Sequence, residues 1–228
     1  TTDYGDYNIV ILEHLAATSN SPRAFSVQDL IPHWMNRLEN GWGSWICTMT
    51  RETYSQVKHG TKVENIGGIS NAMAIRHVAA HGYYENEDEL VDVARKAMFT
   101  HKDFSALGGG EFFARVTHRV LRGVSPRDAI EEVAILMGGF FEDKTKQAIA
   151  KYEEEANPDS DLSKEKFSDD LALTSMARLW DIGRSEPIKV GKASPTEGTL
   201  PGAIYFILKY ANKEDGLKKA LQANAMVG

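Results

Sequence analysis

The chain contains a single cysteine, Cys47, among 228 residues. One thiol excludes a disulfide framework and a cysteine-based zinc site, and it is typical of a protein from a reducing compartment. No apolar run reaches the roughly 20 residues that a membrane-spanning helix needs. We therefore expect an intracellular, cytoplasmic protein that does not enter the membrane.

Clusters of basic side chains are absent as well. The chain has 26 Lys and Arg against 32 Asp and Glu, which gives a formal net charge of −6. A surface that binds nucleic acid needs grouped Lys and Arg to meet the phosphates. We therefore expect no nucleic-acid-binding surface.

Convincing period-2 runs, the pattern of β-strands, are missing too, whereas apolar residues recur at helix spacing along most of the chain. This periodicity predicts helices around 90–98, 112–120 and 130–137. Further helices are predicted over 43–59, 70–81, 141–156, 166–180 and 199–211. The expected fold class is all-α, a compact bundle that forms one domain over residues 1–228.

Capping residues and prolines mark several helix boundaries. Ser125 followed by Pro126 and Asp128 is typical of a helix start. Ser26 predicts another start, although Pro32 should distort that helix after its first turn. The stretches predicted not to be helical are a solvated turn at 157–161 and a long functional loop at 181–198.

The N-terminal stretch places two carboxylates, Asp3 and Asp6, just before or within the first turn of an apolar helix. Carboxylate oxygens suit Mg²⁺ or Ca²⁺, and a helix N-terminus suits an anion. The stretch is therefore a candidate site for a metal and a phosphate. The alternative is that Asp3 or Asp6 simply caps the helix.

Four stretches, taken in order, resemble one protein family. They are similar to its Thr-Asp-Asp-Thr segment, its Gly-Asn-Gly-Ala-Ala-Met-Arg segment, its Thr-His turn and the approach to its Gly-Gly-Asp-x-Asp-Thr metal motif. The matching residues are Thr2–Asp6, Ser70–Arg76, Thr100–Asp103, and Leu200–Ala203 leading to Ala223–Gly228. The family is the ADP-ribosylglycohydrolase superfamily.

This resemblance implies an orthogonal helical bundle that hydrolyses ADP-ribosyl linkages with one or two Mg²⁺ ions as cofactor. Asp3 and Asp6 would be catalytic, and Thr2, Asp3 and Asp6 would hold the metal. The residues expected to bind the ADP-ribosylated substrate are Gly67, Gly68, Ser70, Asn71, Thr100 and His101.

The chain also departs from the family pattern. Tyr4 stands where the second Asp of the metal segment belongs, and a protonated phenol is a poor Mg²⁺ ligand. The family's N-terminal Glu and C-terminal aspartates are not in the sequence, so we expect the natural protein to extend beyond both ends.

The Tyr-Gly-Asp sequence at Tyr4–Asp6 most resembles the J1-crystallin-like branch of the superfamily. The alternative function is therefore a non-catalytic structural or interaction protein with a protein assembly partner. A helical interaction module unrelated to the family is a third interpretation. It predicts that Thr2, Asp3, Ser70, Asn71 and Thr100 lie far apart, whereas the family predicts that they converge on one cleft.

Other conspicuous residues have simple structural explanations. His77 and His81 have a spacing that can bind zinc, but a third ligand is not evident. His101 and Asp103 could form an acid–base pair, although a histidine at a helix junction more often bonds to the backbone. Gly108 to Gly110 fit close helix packing better than a phosphate loop. The tryptophans, expected as core or interface anchors, are Trp34, Trp42, Trp45 and Trp180.

Overall fold

Helices form the regular secondary structure of the chain, as the periodicity predicts. The computed structural model describes residues 2–18, 25–166, 168–176 and 195–227. Within these ranges no strand is present, and Gly68 and His101 form an isolated parallel bridge. No helix in the same ranges is long and apolar enough to cross a bilayer. The all-α fold class is confirmed.

The chain divides into two compact units, Thr1–His118 and Arg119–Gly228. The single domain expected over 1–228 stays a prediction. The helices of the first unit are α1 (Asp3–Thr18), α2 (Val27–Asn40), α3 (Thr48–Lys58), α4 (Glu87–Ala97) and α5 (Phe104–Leu121), whose last three residues belong to the second unit. Two 3₁₀ turns, Val63–Asn65 and Val78–Gly82, lie between α3 and α4.

The core of the first unit forms around Trp34 of α2, which is completely buried. Helix α1 contributes Tyr7, Val10 and Ile11, which share one face because they are three or four residues apart. The Trp34 ring meets Phe99 edge to face, with centroids 5.0 Å apart. The predicted role of Trp34 as a core anchor is confirmed.

The other tryptophans differ from one another. Trp42 is partly buried against the core and meets the Tyr7 ring at 5.1 Å. Trp45 is 70% exposed, so it is not a core anchor, and the alternative role of an interface anchor stays a prediction. Trp180 lies outside the described residues.

The glycines of α5 allow close packing, as predicted. Gly110 is buried, and a side chain there would collide with the sulfur of Met98 and approach Ala74 O at 3.2 Å. Gly108, Gly109 and Gly110 lie inside a helix rather than in a loop, so they do not form a phosphate loop.

The helices of the second unit are α6 (Pro126–Met137), α7 (Gly139–Ala156), α8 (Asp161–Lys164), α9 (Ser168–Met176), α10 (Thr196–Tyr210) and α11 (Gly216–Val227). Helix α10 packs against α6, α7, α9 and α11. Gly202 favours its close contact with α9, because a side chain there would lie 2.7 Å from Leu173 Cδ2 and that leucine would have to shift.

Helix α6 begins as the sequence predicts. The Ser125 hydroxyl accepts a hydrogen bond from Asp128 N, and Pro126 occupies the first turn. Between α6 and α7, Gly138 and Gly139 both have positive φ angles, of 63° and 48°. These conformations favour glycine, and they let one helix follow the other almost without a connecting loop.

Two predicted boundaries need correction. Residues 70–77 are not helical, and only a 3₁₀ turn over Val78–Gly82 follows. The helix expected from residue 43 begins at Thr48, because Cys47 is its N-cap. Helix α2 continues past Pro32 to Asn40, and the distortion expected at Pro32 stays a prediction.

The C-terminal expectations have a mixed outcome. The turn at 157–161 is confirmed up to Ser160, and Asp161 begins α8. The helix predicted over 166–180 is present as Ser168–Met176, with 177–180 outside the described residues. Most of the loop predicted at 181–198 also lies outside them, and α10 already begins at Thr196.

Candidate functional site

Helix α1 begins at the two acidic residues on which the metal prediction depends. Thr2 caps the helix, since its hydroxyl accepts a hydrogen bond from Gly5 N at 3.1 Å. The Thr2 carbonyl accepts from Asp6 N at 2.9 Å. The alternative in which Asp3 or Asp6 caps the helix is therefore wrong.

Asp6 lies inside the first unit and is completely buried. Its Oδ1 is 3.4 Å from Arg37 Nη2, which joins α1 to α2 through an ion pair. The same guanidinium lies 3.6 Å from Glu13 Oε1. A metal ion at Asp6 would have to compete with Arg37, whose side chain is partly exposed, for the buried carboxylate.

Side chains of α1 hold the segment that resembles the family's second motif. The Tyr4 hydroxyl donates to Met73 O at 3.2 Å. One turn later, Asn8 Nδ2 donates to Ile75 O at 3.3 Å, and Asn8 Oδ1 accepts from Val78 N at 3.2 Å. Because these bonds satisfy its backbone groups, the segment can be extended rather than helical.

Arg76 joins this segment to the third motif. It is 2% exposed, and its two terminal nitrogens donate to Ala97 O at 3.1 Å and to Thr100 Oγ1 at 2.9 Å. The guanidinium carbon lies 3.3 Å from the centroid of the Tyr7 ring, which supplies a cation–π contact in place of water.

His101 is held as a neutral imidazole. Its Nδ1 lies 2.9 Å from Thr100 Oγ1, which also accepts from Arg76. Arginine can only donate, so the Thr100 hydroxyl accepts from Arg76 and keeps its proton and a second lone pair for His101 Nδ1. The direction of that bond depends on the tautomer, and a neutral imidazole is compatible with either one. Burial and the charge of Arg76 lower the pKa of His101 to about 3, which agrees with this assignment.

Gly67 is needed for backbone packing, since it has φ +98° and a side chain there would lie 2.7 Å from Phe99 O. Gly68 N donates to Thr100 O, and Lys102 N donates to Gly68 O, each at 2.9 Å. A side chain at Gly68 would meet the sulfur of Met49. The role of both glycines in substrate binding stays a prediction.

Ser70 and Asn71 are the remaining predicted site residues. Ser70 is half buried and its hydroxyl accepts from Ala72 N at 3.2 Å. Asn71 is half buried as well. The fourth matching stretch belongs to the second unit. Ser70, Asn71, Thr100 and His101 therefore stay predicted substrate-binding residues.

Asp103 caps α5 instead of pairing with His101. Its Oδ1 accepts from Ser105 N at 2.8 Å and from Ala106 N at 3.2 Å, and the Ser105 hydroxyl also donates to it. The Ser105 hydrogen bond is the main cause that lowers the pKa of Asp103. An acid–base role for this pair has no support in these contacts.

The histidines with zinc-like spacing bind each other. His77 Nδ1 and His81 Nε2 are 2.9 Å apart, so one nitrogen donates and the other accepts. A hydrogen bond between these two nitrogens takes the lone pair that a shared metal ion would need. Burial and His81 lower the pKa of His77 to about 4.

Asp3 has the most favourable environment for chemistry. The carboxylate is half buried, and its Oδ1 has no hydrogen-bond partner among the described residues. Burial raises the pKa of Asp3, while a hydrogen bond from the Cys47 thiol and the charge of Arg76 oppose that rise. Asp6 adds a smaller increase through like-charge repulsion.

These donors do not fit a two-ion Mg²⁺ cluster. Among the described residues, no group of three or more Asp, Glu, His or Cys side chains is arranged to hold a metal ion. The Thr2 hydroxyl caps α1, Asp6 pairs with Arg37, and Tyr4 bonds to a carbonyl. Of the three predicted ligands, Asp3 is the one that neither caps α1 nor forms an ion pair with Arg37.

Comparison with known protein families agrees with the order of the motifs. The model of the ADP-ribosylglycohydrolase family matches residues 1–228, which is the whole chain. The chain belongs to this family. A search of curated proteins gives no match.

Membership of the ADP-ribosylglycohydrolase family supports a hydrolase-like function. Hydrogen bonds from Tyr4 to Met73 O and from Arg76 to Thr100 join the first three matching stretches. The convergence of Thr2, Asp3, Ser70, Asn71 and Thr100 on one cleft stays a prediction. Four residues of this region were not among the predicted site residues: Tyr7, Cys47, Thr50 and Arg76. An arginine directly after the apolar run Ala72–Ile75 is a signal that could have indicated a buried charge.

Proposed function

We propose that the chain hydrolyses the N- or O-glycosidic bond between ADP-ribose and an ADP-ribosylated substrate. The observation that carries this proposal is the Asp3 carboxylate, which is half buried and has one oxygen without a partner among the described residues. Burial also raises its pKa, and a carboxylate of this kind can accept a proton from water. The family supports the ADP-ribosyl group as substrate.

In the proposed reaction, a water oxygen forms a bond to the anomeric carbon of the ribose as the glycosidic bond breaks. Asp3 accepts the proton that the water loses. The departing nitrogen or oxygen receives a proton from solvent. The products are ADP-ribose and the unmodified substrate.

The predicted substrate-binding residues divide by burial. Ser70 and Asn71 are half buried, which supports them as contacts to the ribose and phosphates. Thr100 and His101 are buried and hold Arg76, so their proposed part is indirect. Mg²⁺ held by Thr2, Asp3 and Asp6 stays a prediction, which the ion pair to Arg37 argues against.

The test measures ADP-ribose released from N-linked and O-linked ADP-ribosylated peptides, with Mg²⁺ and with a chelator. We expect Asp3→Asn to lower kcat by about 10²- to 10⁴-fold, the usual contribution of a general base. Asp29→Asn is the matched control, because Asp29 is an exposed acid in the first turn of another helix of the same unit. Equal loss in both variants, or no release by the unmodified chain, would contradict the proposal.

A second candidate is a non-catalytic interaction protein of the same family, nearest to the J1-crystallin-like branch. Tyr4 supports it, because the residue in the place of the second metal-binding Asp ties α1 to the Met73 carbonyl. Calorimetry separates the two candidates. ADP-ribose binding without turnover favours the interaction protein, whereas turnover that depends on Asp3 favours the hydrolase.

A further inference from the structure

We propose that the Arg37 guanidinium stands in the place of a metal ion at Asp6, so that the chain binds and hydrolyses its substrate without Mg²⁺. Removal of Arg37 should then uncover a site for a divalent cation. The statement about the substrate rests on the proposed function, whereas the exchange of a metal ion for an arginine does not. We call Asp6, Glu13 and Arg37 the arginine site.

Helix α1 cannot neutralise its own carboxylates. It contains Asp3, Asp6 and Glu13, but it has no Lys or Arg. Asp6 is completely buried, and a buried carboxylate is costly unless a cation or hydrogen-bond donors accompany it. The positive charge beside Asp6 therefore has to come from another element of the fold.

Arg37 supplies that charge from the last turn of α2. Its Nη2 lies 3.4 Å from Asp6 Oδ1, and its Nη1 lies 3.6 Å from Glu13 Oε1. The two carboxylates are two helical turns apart along α1. A Mg²⁺ ion needs its oxygen ligands at about 2.0–2.1 Å, close to one another, whereas the fork of a guanidinium can meet one carboxylate with each terminal nitrogen.

The neighbouring residues carry less negative charge than the family pattern. Tyr4 stands in the place of a second Asp, and its neutral hydroxyl donates to Met73 O at 3.2 Å. A second arginine, Arg76, is buried beside α1, with its guanidinium carbon 3.3 Å from the centroid of the Tyr7 ring. One carboxylate fewer and two arginines leave little negative charge for two divalent ions.

The arginine site is open to exchange with solvent on one side. The Arg37 side chain is 27% exposed, whereas the Asp6 side chain is fully covered. A shorter, neutral side chain at position 37 would open a path from solvent to the Asp6 carboxylate. Arg37→Gln is therefore the variant in which a divalent cation can take the place of the guanidinium.

Thermal unfolding in millimolar Mg²⁺ and in a chelator, at equal ionic strength, tests the arginine site directly. We expect the two melting temperatures of the unmodified chain to agree within about 1 °C. Arg37→Gln should melt lower in chelator and gain about 3 °C or more from Mg²⁺, because an ion that binds the folded chain stabilises it.

Arg51→Gln is the matched control for this measurement. Arg51 is exposed, and its guanidinium donates to Ile46 O and Thr48 Oγ1 rather than to a carboxylate. Its melting temperature should not respond to Mg²⁺. Asp6→Asn added to Arg37→Gln locates the ion, because the double variant should lose the response that the single variant gains.

Two results would overturn the arginine site. One is a melting temperature of the unmodified chain that Mg²⁺ raises by about 3 °C or more, since the ion then binds despite Arg37. The other is an Arg37→Gln variant that folds but responds to Mg²⁺ no more than Arg51→Gln does. A variant that folds only in Mg²⁺ would support the proposal. If Arg37→Gln folds in neither solution, the response of the unmodified chain decides.

Calorimetry with ADP-ribose tests the functional part on the unmodified chain. We expect the Kd values in Mg²⁺ and in chelator to agree within about 3-fold. A greater weakening in chelator would overturn metal-independent binding. If the chain releases no ADP-ribose while Arg37→Gln gains the Mg²⁺ response, the arginine site is supported and only the proposed hydrolase is contradicted.

Discussion

Each unit contains a group of interacting charged and aromatic side chains, and the two groups differ in how completely their polar atoms are paired. In the second unit, Lys209 Nζ lies 2.8 Å from Glu155 and 2.7 Å from Asp169. The hydroxyls of Tyr205 and Tyr210 also donate to Asp169. None of these side chains has a buried polar atom without a partner among the described residues.

The group in the first unit is less complete. Among the described residues, Asp3 Oδ1 and Arg76 Nε are buried without a hydrogen-bond partner. A fully paired network stabilises a fold, whereas an unpaired buried oxygen is costly and is more typical of a site that acts on something else. We call Lys209, Glu155, Asp169, Tyr205 and Tyr210 the Lys209 group, and Asp3 with Arg76 the Asp3 group. The comparison assigns stability to the Lys209 group and chemistry to the Asp3 group.

The largest expected difference between the units is in their response to acid. All seven histidines of the chain lie in residues 1–118. The folded pKa values of His101 and His77, about 3 and about 4, lie below the ordinary value of 6.5. Below pH 6.5 the unfolded chain therefore binds more protons than the folded chain. The contribution of the two histidines to the free energy of unfolding is complete above pH 6.5 and is lost as the pH falls toward 4 and 3.

Each of these two histidines should lower the free energy of unfolding by up to about 1.4 kcal/mol per pH unit in that window. Segment-resolved hydrogen exchange between pH 7 and pH 4.5 measures this effect for each unit. His101→Gln should reduce the slope for the first unit, whereas His59→Gln should not, because His59 is exposed. Equal acid sensitivity of the two units would contradict the prediction.

Removal of the cation from the Lys209 group comes next in size. Lys209→Met leaves Glu155 and Asp169 together without a positive charge, and we expect it to lower the stability of the second unit by about 3 kcal/mol. Lys213→Met is the control, since Lys213 is exposed and contacts only the face of Tyr210 in the described contacts. Denaturant unfolding followed by hydrogen exchange gives both values. A loss below that of the control would show that the group is not stabilising.

A smaller loss is expected when the Thr100 hydroxyl that links Arg76 and His101 is removed. Thr100→Val removes the hydroxyl that both residues use, and two buried groups without a partner should cost about 2 kcal/mol. Thr145→Val is the opposite case, because the buried Thr145 hydroxyl has no partner among the described residues. That variant should be neutral or slightly more stable, and thermal unfolding distinguishes the two. A similar change in both would remove the argument for the Arg76 contacts.

The smallest effect on stability is expected at Asp3. Because burial raises its pKa, the ionised carboxylate is not stabilised by folding. Asp3→Asn should therefore change the free energy of unfolding by less than about 1 kcal/mol, even though it removes hydrolysis. A large loss of stability in this variant would mean that Asp3 belongs to the structure in the same way as Asp169.

Much of the fold could be predicted from sequence because its signals are local. Ser125 and Pro126 begin α6 as expected, and the stripe of Tyr7, Val10 and Ile11 is visible in the sequence of α1. The segment 70–77 was predicted wrongly, since its carbonyls are bonded by Tyr4 and Asn8, which lie far away in sequence. The periodicity of a segment carries no information about partners that are distant in sequence.

The site was predictable only in part for a similar reason. The motifs indicated Asp3 and Asp6 equally, yet Asp3 is half buried, whereas Asp6 is completely buried and pairs with Arg37 of the next helix. Thr50 is 43 positions from Tyr7 in the chain, and only the fold brings their hydroxyl oxygens to 2.8 Å. Residue types suggested the chemistry, and tertiary contacts decide which residue can perform it.

The turn between α6 and α7 has a consequence for chirality. Gly138 has φ 63° and ψ −172°, which is the mirror image of the polyproline conformation that L-residues prefer. A D-amino acid introduced there by peptide ligation would adopt its own relaxed conformation, while an L-residue would be strained. The same position that excludes nineteen ordinary side chains would thus accept their enantiomers, with fewer conformations open to the unfolded chain.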